Sequence, residues 1–443
     1  MLSIDTFLIN FFANFQMLIS RKYIIGKNHF VRLRKMSYLE YVIYIFVRIG
    51  NTNYSESIRF YRRFLKKDFQ SITRQAINKQ RKFISPKLFK AVNDIFVDEL
   101  YSKFKGLFKI NGFLVAAGDT SICDLPHDKN VIEEMEVKKN FKTGRCNTRA
   151  RISCLLDVRS RVIISSKIVP KKIPEVKLAI DHLMELKNRM DISKLITTFD
   201  RGYASLELMV STEVLGSKYV IRLRKDTFKN KINKMESNDG IIEINIGKRL
   251  LDKIEDKKLR KKAEKLGRIK IRIVKIELKT GEIEILATNL TNDEFTLAEL
   301  KSLYKKRWEI ETGFDRLKNY IRIENFSGRS KQLIEQDFYA NIFVYSLCTC
   351  IKLEASKRIR RQPRNSKHKY VYVINFSRLV TLVYENLFNI LSEIRVMIEI
   401  IIDFIILEAA KDPTNKRIDV ERERGSLADP TNDHNGYKKN PLI

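Results

Sequence analysis

Four residues of complementary chemistry recur at helical spacing late in the chain: Tyr304, Arg307, Glu311 and Lys318. At roughly 100° per residue, their side chains fall on one narrow face of a helix. The carboxylate is a ligand type for hard divalent cations, and the two cations are phosphate-binding groups. The face therefore suits phosphoryl chemistry, although charges at this spacing are equally typical of a solvated helix with ordinary ion pairs.

The sequence predicts one helix over about residues 297–319 to carry this face. Thr296 is a suitable N-cap residue, and Glu299 three positions later completes the pattern of a capping box. Trp308, the only Trp in the chain, follows Arg307 and lies at the edge of the face. Its interpretation stays open here, because packing in the core fits the pattern as well as contact with a ligand does.

Two aspartates follow apolar runs upstream, Asp119 after 113–117 and Asp200 after 195–199. The intervening segments read as strands, apart from a helix near 175–190. The order β-β-β-α-β-α predicts an α/β layer, and open α/β sheets place their chemistry at the carboxyl ends of strands. A single Asp after a strand is, however, more often a turn or cap residue.

The spacing Tyr-x2-Arg-x3-Glu-x6-Lys from Tyr304 to Lys318 resembles the signature of the insertion-sequence-four family of DDE transposases, in which a Trp also follows the Arg. The segments Asp119-Thr-Ser and Asp200-Arg-Gly-Tyr resemble the blocks around that family's two aspartates. The resemblance implies an α/β fold with a ribonuclease H-like catalytic core and a β-rich insertion. An N-terminal helical domain and C-terminal helices would flank the core.

The resemblance also implies a metal site at Asp119, Asp200 and Glu311. Phosphodiester cleavage needs an activated water and a stabilised leaving oxygen, which two divalent cations about 4 Å apart supply. Mg²⁺ or Mn²⁺ takes oxygen ligands, so His and Cys are not required. We therefore expect a Mg²⁺-dependent (or Mn²⁺-dependent) transposase that binds its metal through these three carboxylates.

DNA contacts are expected on the same face. By resemblance, Tyr304, Arg307 and Lys318 bind the phosphates that flank the cut, with Arg giving a planar, bidentate contact. Arg201 is a weaker phosphate candidate, and Trp308 is a candidate for stacking in a distorted DNA end.

The composition agrees with a polyanionic partner. The chain has 443 residues, with 85 Lys and Arg against 53 Asp and Glu, for a formal charge of +32. Nucleic acid is the first candidate, although a ribosome-associated or membrane-surface protein would share this charge. The odd number of Cys, at spacings unlike a zinc ribbon or finger, predicts reduced thiols. We expect a cytoplasmic bacterial protein, nucleoid-associated when bound to DNA, without a membrane partner.

The pattern along the chain predicts six segments. They are an N-terminal helical, DNA-binding region (1–105), the first part of the catalytic core (106–225), a β-rich insertion that contacts DNA in the family (226–295), the second part of the core with the signature helix (296–355), C-terminal helices for dimerisation (356–410) and a disordered tail (411–443).

Two basic segments and the function itself keep alternatives. The helix predicted within 72–82 has a cationic side that faces either DNA or solvent, and the basic linker 357–364 has the same two interpretations. The function expected is cut-and-paste DNA transposition by a homodimer in a synaptic complex with transposon ends and target. A nuclease of the same fold without strand transfer, and a non-catalytic DNA-binding relative, stay open.

Overall fold

The apolar runs of the sequence come together as strands of one sheet. The structure is a computed structural model that describes residues 3–32, 35–66, 73–104, 106–137, 147–278, 280–361, 370–392, 395–411 and 414–417. In this described part of the chain, the sheet has nine strands. They are β1 (Lys109–Ile110), β2 (Phe113–Asp124), β3 (Arg149–Asp157), β4 (Ile163–Pro170), β5 (Leu195–Phe199), β6 (Lys218–Arg222), β7 (Asp239–Asn245), β8 (Arg268–Glu277) and β9 (Ile283–Thr288).

The strand order is β4-β3-β2-β5-β6-β9-β8-β7, with β1 paired to β2. Strands β2, β3 and β4 form an antiparallel meander, whereas β5 runs parallel to β2 and β6 parallel to β5. Three antiparallel strands, with two parallel strands added beside the first of them, are the ribonuclease H-like arrangement. The predicted fold class is therefore confirmed. Every residue of β5 is buried, as expected for a parallel strand that is covered on both faces.

The strands of the expected insertion do not form a separate sheet. Strands β7, β8 and β9 are the β structure predicted for this segment and pair antiparallel, but β9 also pairs with β6, with Ile221 opposite Ala287. Without β9, strand β6 would be an edge with unpaired backbone groups, which proteins avoid when the strand is apolar. The insertion therefore extends the central sheet.

The helices are numbered in chain order. They are α1 (Ile4–Ala13), α2 (Phe15–Leu18), α3 (Tyr38–Phe46), α4 (Asn53–Arg59), α5 (Arg74–Arg81), α6 (Pro86–Lys103), α7 (Lys129–Glu134), α8 (Glu175–Lys187), α9 (Leu206–Leu215), α10 (Lys229–Asn233), α11 (Lys248–Leu251), α12 (Lys257–Leu266), α13 (Leu297–Lys305), α14 (Glu309–Asn319), α15 (Lys331–Arg361), α16 (Phe376–Ser392) and α17 (Arg395–Lys411).

The N-terminal helices share a core with α15. Aromatic rings of α1, α6 and α15 pack together, with Phe11 and Phe96 centroids 5.0 Å apart and Phe96 and Phe343 centroids 5.6 Å apart. Rings in edge-to-face contact at these distances add to the stabilisation that burial of their area gives. The helical region before the sheet is thus packed on the helix that follows the signature segment.

One cation of the predicted basic helix lies in this core. Arg81 is fully buried, and its Nη2 atom lies 2.6 Å from Oδ1 of Asp337 on α15. The same carboxylate oxygen lies 3.1 Å from Nη1 of Arg48. Arg81 therefore contacts neither DNA nor solvent, so both interpretations of the basic face are wrong for this residue. Its buried charge is compensated by Asp337, which is distant in the sequence but close in space.

The predicted helix over 297–319 is interrupted. Thr296 and Glu299 form the predicted capping box at the start of α13, but residues Lys306–Trp308 form a 3₁₀ turn between α13 and α14. A residue in a 3₁₀ turn rotates the chain by about 120° instead of 100°. The turn therefore shifts Glu311 and Lys318 around the axis relative to Tyr304, and the narrow common face is an approximation.

The C-terminal segments follow the prediction in part. Helices α16 and α17 are the two expected helices, whereas the predicted linker at 357–364 continues α15 as far as Arg361. Residues Thr414–Arg417 of the expected disordered tail form a strand, β11, that pairs with β10 (Tyr370–Val373). The predictions for 362–364 and 418–443 lie outside the described residues.

Candidate active site

Asp119 and Asp200 lie at the same level of neighbouring parallel strands. The last residues that pair between β2 and β5 are Ala117 and Thr198, and each aspartate comes two residues later on its own strand or just after it. Asp119 is not at a strand end as predicted, because β2 continues to Asp124 along its partner β3. Asp200 does follow the last residue of β5, where its Oδ1 accepts a 2.8 Å hydrogen bond from the Gly202 amide.

The signature helix crosses the sheet on the face that carries Asp119. Side chains alternate along a strand, so Asp119 and Ala117 share a face with their antiparallel partners Cys154 and Leu156. On that face, Leu156 approaches α14 so closely that a Cβ on Gly313 would lie 2.7 Å from its Cδ1 atom. Only glycine allows this approach, which places the helix of Glu311 against the strand next to Asp119.

An ion pair fixes the start of the same helix. Arg161 lies in the turn between β3 and β4 with a left-handed φ of 63°. Its Nε and Nη2 atoms donate to the two carboxylate oxygens of Glu309 at 2.6 Å and 2.8 Å. A bidentate contact of this kind is directional, so it sets the position of the first turn of α14, which carries Glu311.

The electrostatics of Asp119 show that the three predicted carboxylates share one neighbourhood. Burial, with the negative charges of Asp200 and Glu311 as smaller contributions, raises the pKa of Asp119 to about 7. The Thr120 amide, which donates to Asp119 Oδ1 at 2.7 Å, and the Arg307 guanidinium act in the opposite direction. Repulsion between these acids is the type of charge imbalance that a divalent cation relieves.

Arg307 joins the basic and acidic parts of the predicted face. It is buried, and its Nη2 atom lies 2.9 Å from Glu311 Oε1. Its Nε atom and the Tyr304 hydroxyl, both buried, have no hydrogen-bond partner among the described residues. Burial raises the pKa of Tyr304, so the phenol keeps its proton. A buried donor without a partner is costly, so both groups are suited to an incoming acceptor such as a phosphate oxygen.

Trp308 and Lys318 are the remaining predicted site residues of this segment. Trp308 is 36% exposed, and the Arg307 guanidinium lies 5.6 Å from its ring centroid. The exposure argues against the interpretation of Trp308 as a core residue. Lys318 donates to the Ile122 carbonyl of β2 at 2.6 Å and lies 3.4 Å from Glu324. In this structure Lys318 therefore ties α14 to the strand of Asp119, and a phosphate contact requires exchange of these partners.

Arg201 opens onto a basic cavity that the sequence motifs did not indicate. The cavity, about 540 Å³, lies beside Asp200 and is lined by Arg201 together with Arg222, Arg224 and Lys225 at the end of β6. Arg224 donates to the Arg201 carbonyl at 3.3 Å, which links the two segments. The sequence shows a cluster of three cations within residues 222–225, but only the pairing of β5 with β6 brings this cluster to Asp200.

The three carboxylates offer the oxygen ligands that a hard divalent cation prefers, but in this structure they are not gathered around one point. Among the described residues, no three or more His, Cys, Asp and Glu side chains lie close enough together to hold a metal ion. One oxygen of Glu311 is instead paired with Arg307. Three carboxylates that repel one another, with no nitrogen or sulfur ligand, match the preference of Mg²⁺ and Mn²⁺.

The fold and the acidic strand edge define a ribonuclease H-like protein of the transposase type. The family model described as "Transposase DDE domain" matches residues 116–347, and the chain belongs to this family. The match includes Asp119, Asp200 and the whole segment from Tyr304 to Lys318.

Two known proteins are similar to parts of the chain. The transposase InsG for insertion sequence element IS4 of Escherichia coli (strain K12) is 26% identical over 205 residues, which are 45% of this chain and 43% of that protein. A piggyBac transposase, solved by cryo-EM as a synaptic complex with hairpin DNA, gives a TM-score of 0.41 at 11% identity over 87% of this chain and 78% of that chain.

Among the described residues, no helix combines the length and the apolar character that a membrane crossing requires.

Proposed function

We propose that this protein is a metal-dependent DNA transposase that binds the ends of an insertion sequence, cleaves them and joins them to target DNA. Membership of the transposase DDE domain family supports the reaction class. The observation that carries the assignment of residues is the level placement of Asp119 and Asp200 on parallel strands, with the helix of Glu311 packed across them.

In this proposal Asp119, Asp200 and Glu311 hold the metal, as two Mg²⁺ or Mn²⁺ ions. The bound ions would supply an activated water and neutralise charge on the leaving oxygen. Glu311 becomes available as a ligand when Arg307 exchanges it for a phosphate of the DNA. The partnerless Nε of Arg307 and hydroxyl of Tyr304 favour that exchange, since each gains a hydrogen bond.

Further contacts with DNA are proposed around this centre. The cavity lined by Arg201, Arg222, Arg224 and Lys225 concentrates positive charge beside Asp200 and suits the backbone phosphates next to the cut. Lys318 would bind a phosphate as a point charge after leaving Ile122 and Glu324. Trp308, exposed at the edge of the site, would stack on a base of the distorted end.

The remaining segments are assigned by the same proposal. The N-terminal helices (1–105) and the strands within 226–295 would contact the transposon end, and the C-terminal helices (356–410) would hold two copies together. An apolar stripe on α17 supports the last assignment. Its exposed residues are Val396, Met397, Ile400, Phe404 and Leu407. Their spacing of three and four residues is that of a helix–helix contact.

The test is cleavage and strand transfer with a duplex that carries the element's end. Separate Ala variants of Asp119, Asp200 and Glu311 should lose cleavage in Mg²⁺ and keep DNA binding, because each removes a ligand but no DNA contact. Asp124→Ala is a matched control, since Asp124 lies on the same strand and pairs with Arg149 at 2.8 Å. Normal cleavage by Glu311→Ala would refute the site.

The products decide between the proposal and its alternatives. Joined products indicate a transposase, and cut ends without joined products indicate a nuclease of the same fold. Tight binding without cleavage by the wild-type protein indicates a DNA-binding relative that has lost the reaction.

A further inference from the structure

A fourth carboxylate, Glu175, lies behind the acidic edge of the sheet. It is the first residue of α8, and its Oε1 atom accepts a 2.7 Å hydrogen bond from the Thr120 hydroxyl. The same oxygen forms a salt bridge with Arg151 of β3. Thr120 is the residue after Asp119, and its amide donates to Asp119 Oδ1 at 2.7 Å. Glu175 thus touches the strand of Asp119 directly beside the proposed ligand.

The other oxygen of Glu175 lies against the turn of Asp200. A Cβ built on Gly202 would lie 3.0 Å from Asp200 Oδ1 and 3.5 Å from Glu175 Oε2. The Gly202 amide is also the donor that holds Asp200 Oδ1. One carboxylate therefore accepts a hydrogen bond from the segment of Asp119 and lies close to the turn of Asp200, where the absence of a side chain at Gly202 leaves room for it.

Glu175 contacts the opposite face of the sheet from α14. Thr120 points away from the face of Asp119 because neighbouring residues of a strand alternate. Arg151 is paired with Ile122, two residues after Thr120, so it lies on the same face as Thr120. Helix α8 packs on this face, whereas α14 packs on the other. Because of this position, Glu175 acts through its neighbours and not as a further ligand beside Asp119.

We propose that Glu175 is a positioning residue of the active site, which fixes the separation of Asp119 and Asp200. Its hydrogen bond with Thr120 and its position beside Gly202 connect the segment of Asp119 on β2 to the turn of Asp200 after β5. Arg151, whose side chain is only 16% exposed, compensates the charge of Glu175 and holds it in place. This proposal rests on the proposed function for the identity of the ligands.

The role of Glu175 follows from the repulsion between Asp119 and Asp200. Asp119 and Asp200 are two carboxylates at the same level of neighbouring parallel strands, so their negative charges repel each other. Without a connection on this face, the segments of Asp119 and Asp200 move apart before a cation binds, and the cation must then draw them together. Loss of a residue that orients metal ligands typically weakens metal affinity about 10-fold to 100-fold.

The experiment compares Glu175→Gln and Glu175→Ala with the wild-type full chain. The readouts are Mn²⁺ binding without DNA, measured as the Mn²⁺-induced rise in melting temperature, and the Mg²⁺ concentration for half-maximal cleavage. We expect both variants to need about tenfold or more higher metal concentration, with Ala more affected than Gln, because Gln still accepts from Thr120. DNA binding should be unchanged.

Glu185→Gln is the matched control. Glu185 lies on the same helix, is 20% exposed and forms a 2.9 Å ion pair with Lys167, away from the edge of the sheet. This variant should lose stability without a change in metal requirement. If the Glu175 variants also change only in stability, or if their metal requirement equals that of the wild type, the proposal is wrong.

The two readouts separate this inference from the proposed function. If the wild-type protein binds Mn²⁺ but does not cleave, the proposed function fails, and the Mn²⁺ series still tests Glu175. If the wild type cleaves and all Glu175 variants keep its metal requirement, only the positioning role fails.

Discussion

Removal of the Asp337 carboxylate should destabilise the protein more than almost any other single substitution. Asp337 is 3% exposed and lies between two buried guanidiniums, those of Arg81 and Arg48. Its Oδ2 atom accepts from the Ser327 amide at 2.8 Å and from the Ser327 hydroxyl at 2.7 Å. In Asp337→Ala, both cations stay buried without their anion, and Ser327 loses its acceptor.

The magnitude follows from the cost of an unpaired buried charge. Breaking a buried ion pair by removal of one partner costs about 3–5 kcal/mol. At roughly 2 °C per kcal/mol for a large chain, the melting temperature should fall by about 6–10 °C. Asp337→Asn keeps acceptor and shape but loses the charge, so its loss should be smaller than that of Asp337→Ala.

The pH dependence adds an independent check. Burial raises the pKa of Asp337, but the charges of Arg81 and Arg48 and the Ser327 hydrogen bonds outweigh burial, so the pKa lies below its usual value. A carboxyl whose pKa is lower in the folded state contributes stability above its unfolded pKa, about 3.9. That contribution should disappear as the pH falls below about 4, in wild type but not in Asp337→Ala.

Urea denaturation of the wild type and both variants at pH 7 and at about pH 3, below the unfolded pKa of a carboxyl group, is the measurement. Glu335→Ala serves as a control from the neighbouring turn of α15, because among the described residues Glu335 has no such pair of buried cations. A loss below about 1 kcal/mol for Asp337→Ala at pH 7 would show that the network is hydrated and that the burial argument is wrong.

Further predictions concern acid stability, DNA affinity, the exposed indole and assembly. Burial lowers the pKa of His182 to about 3. Because the folded state keeps His182 neutral, the free energy of unfolding should fall by about 1.4 kcal/mol per pH unit below pH 6.5. His182→Gln should flatten this slope in denaturation curves. Duplex binding should weaken roughly 10³-fold between about 50 and 200 mM salt if six or more phosphates are contacted, and a flat titration would exclude nucleic acid. Trp308→Ala should fold normally and lose cleavage of the second strand, and an intact reaction would exclude a stacking role. Phe404→Glu should shift the protein toward monomer in sedimentation, with its melting temperature unchanged at low concentration.

Local patterns predicted the elements better than the contacts between them. The strand Leu195–Phe199 has the predicted bounds because a short apolar run between turn residues has few other solutions, and the capping box at Thr296 depends on four consecutive residues. Strand β2 continues beyond Asp119 because it pairs with β3 as far as Asp124. This pairing is a contact in space that the local sequence pattern does not show. The interruption at Lys306–Trp308, where Arg307 is buried, likewise has no signal in the local pattern.

The same limit applies to the candidate site. Asp119, Asp200 and Glu311 were found through motifs that resemble those of a family, whereas the cations at the end of β6 and the carboxylate of Glu175 lack such a motif. Their relevance comes from pairing of β5 with β6 and from the docking of α8 behind the sheet. Arg81 shows the converse error, since its position on a basic helix gave no sign of an acid on α15.

The pairing of β9 with β6 has a consequence for how the chain tolerates truncation. A shortened chain that lacks β7, β8 and β9 would not be a smaller folded core, because it would present β6 as a bare apolar edge to other chains. The intact protein ends its sheet instead at β7, whose charged residues include Asp239 and Glu243, paired with Arg272 and Arg268 of β8. Charged edges oppose the addition of a further strand from a neighbouring molecule. The strands beyond β6 thus also protect the chain from aggregation, which is a reason for their retention that is independent of any contact with DNA.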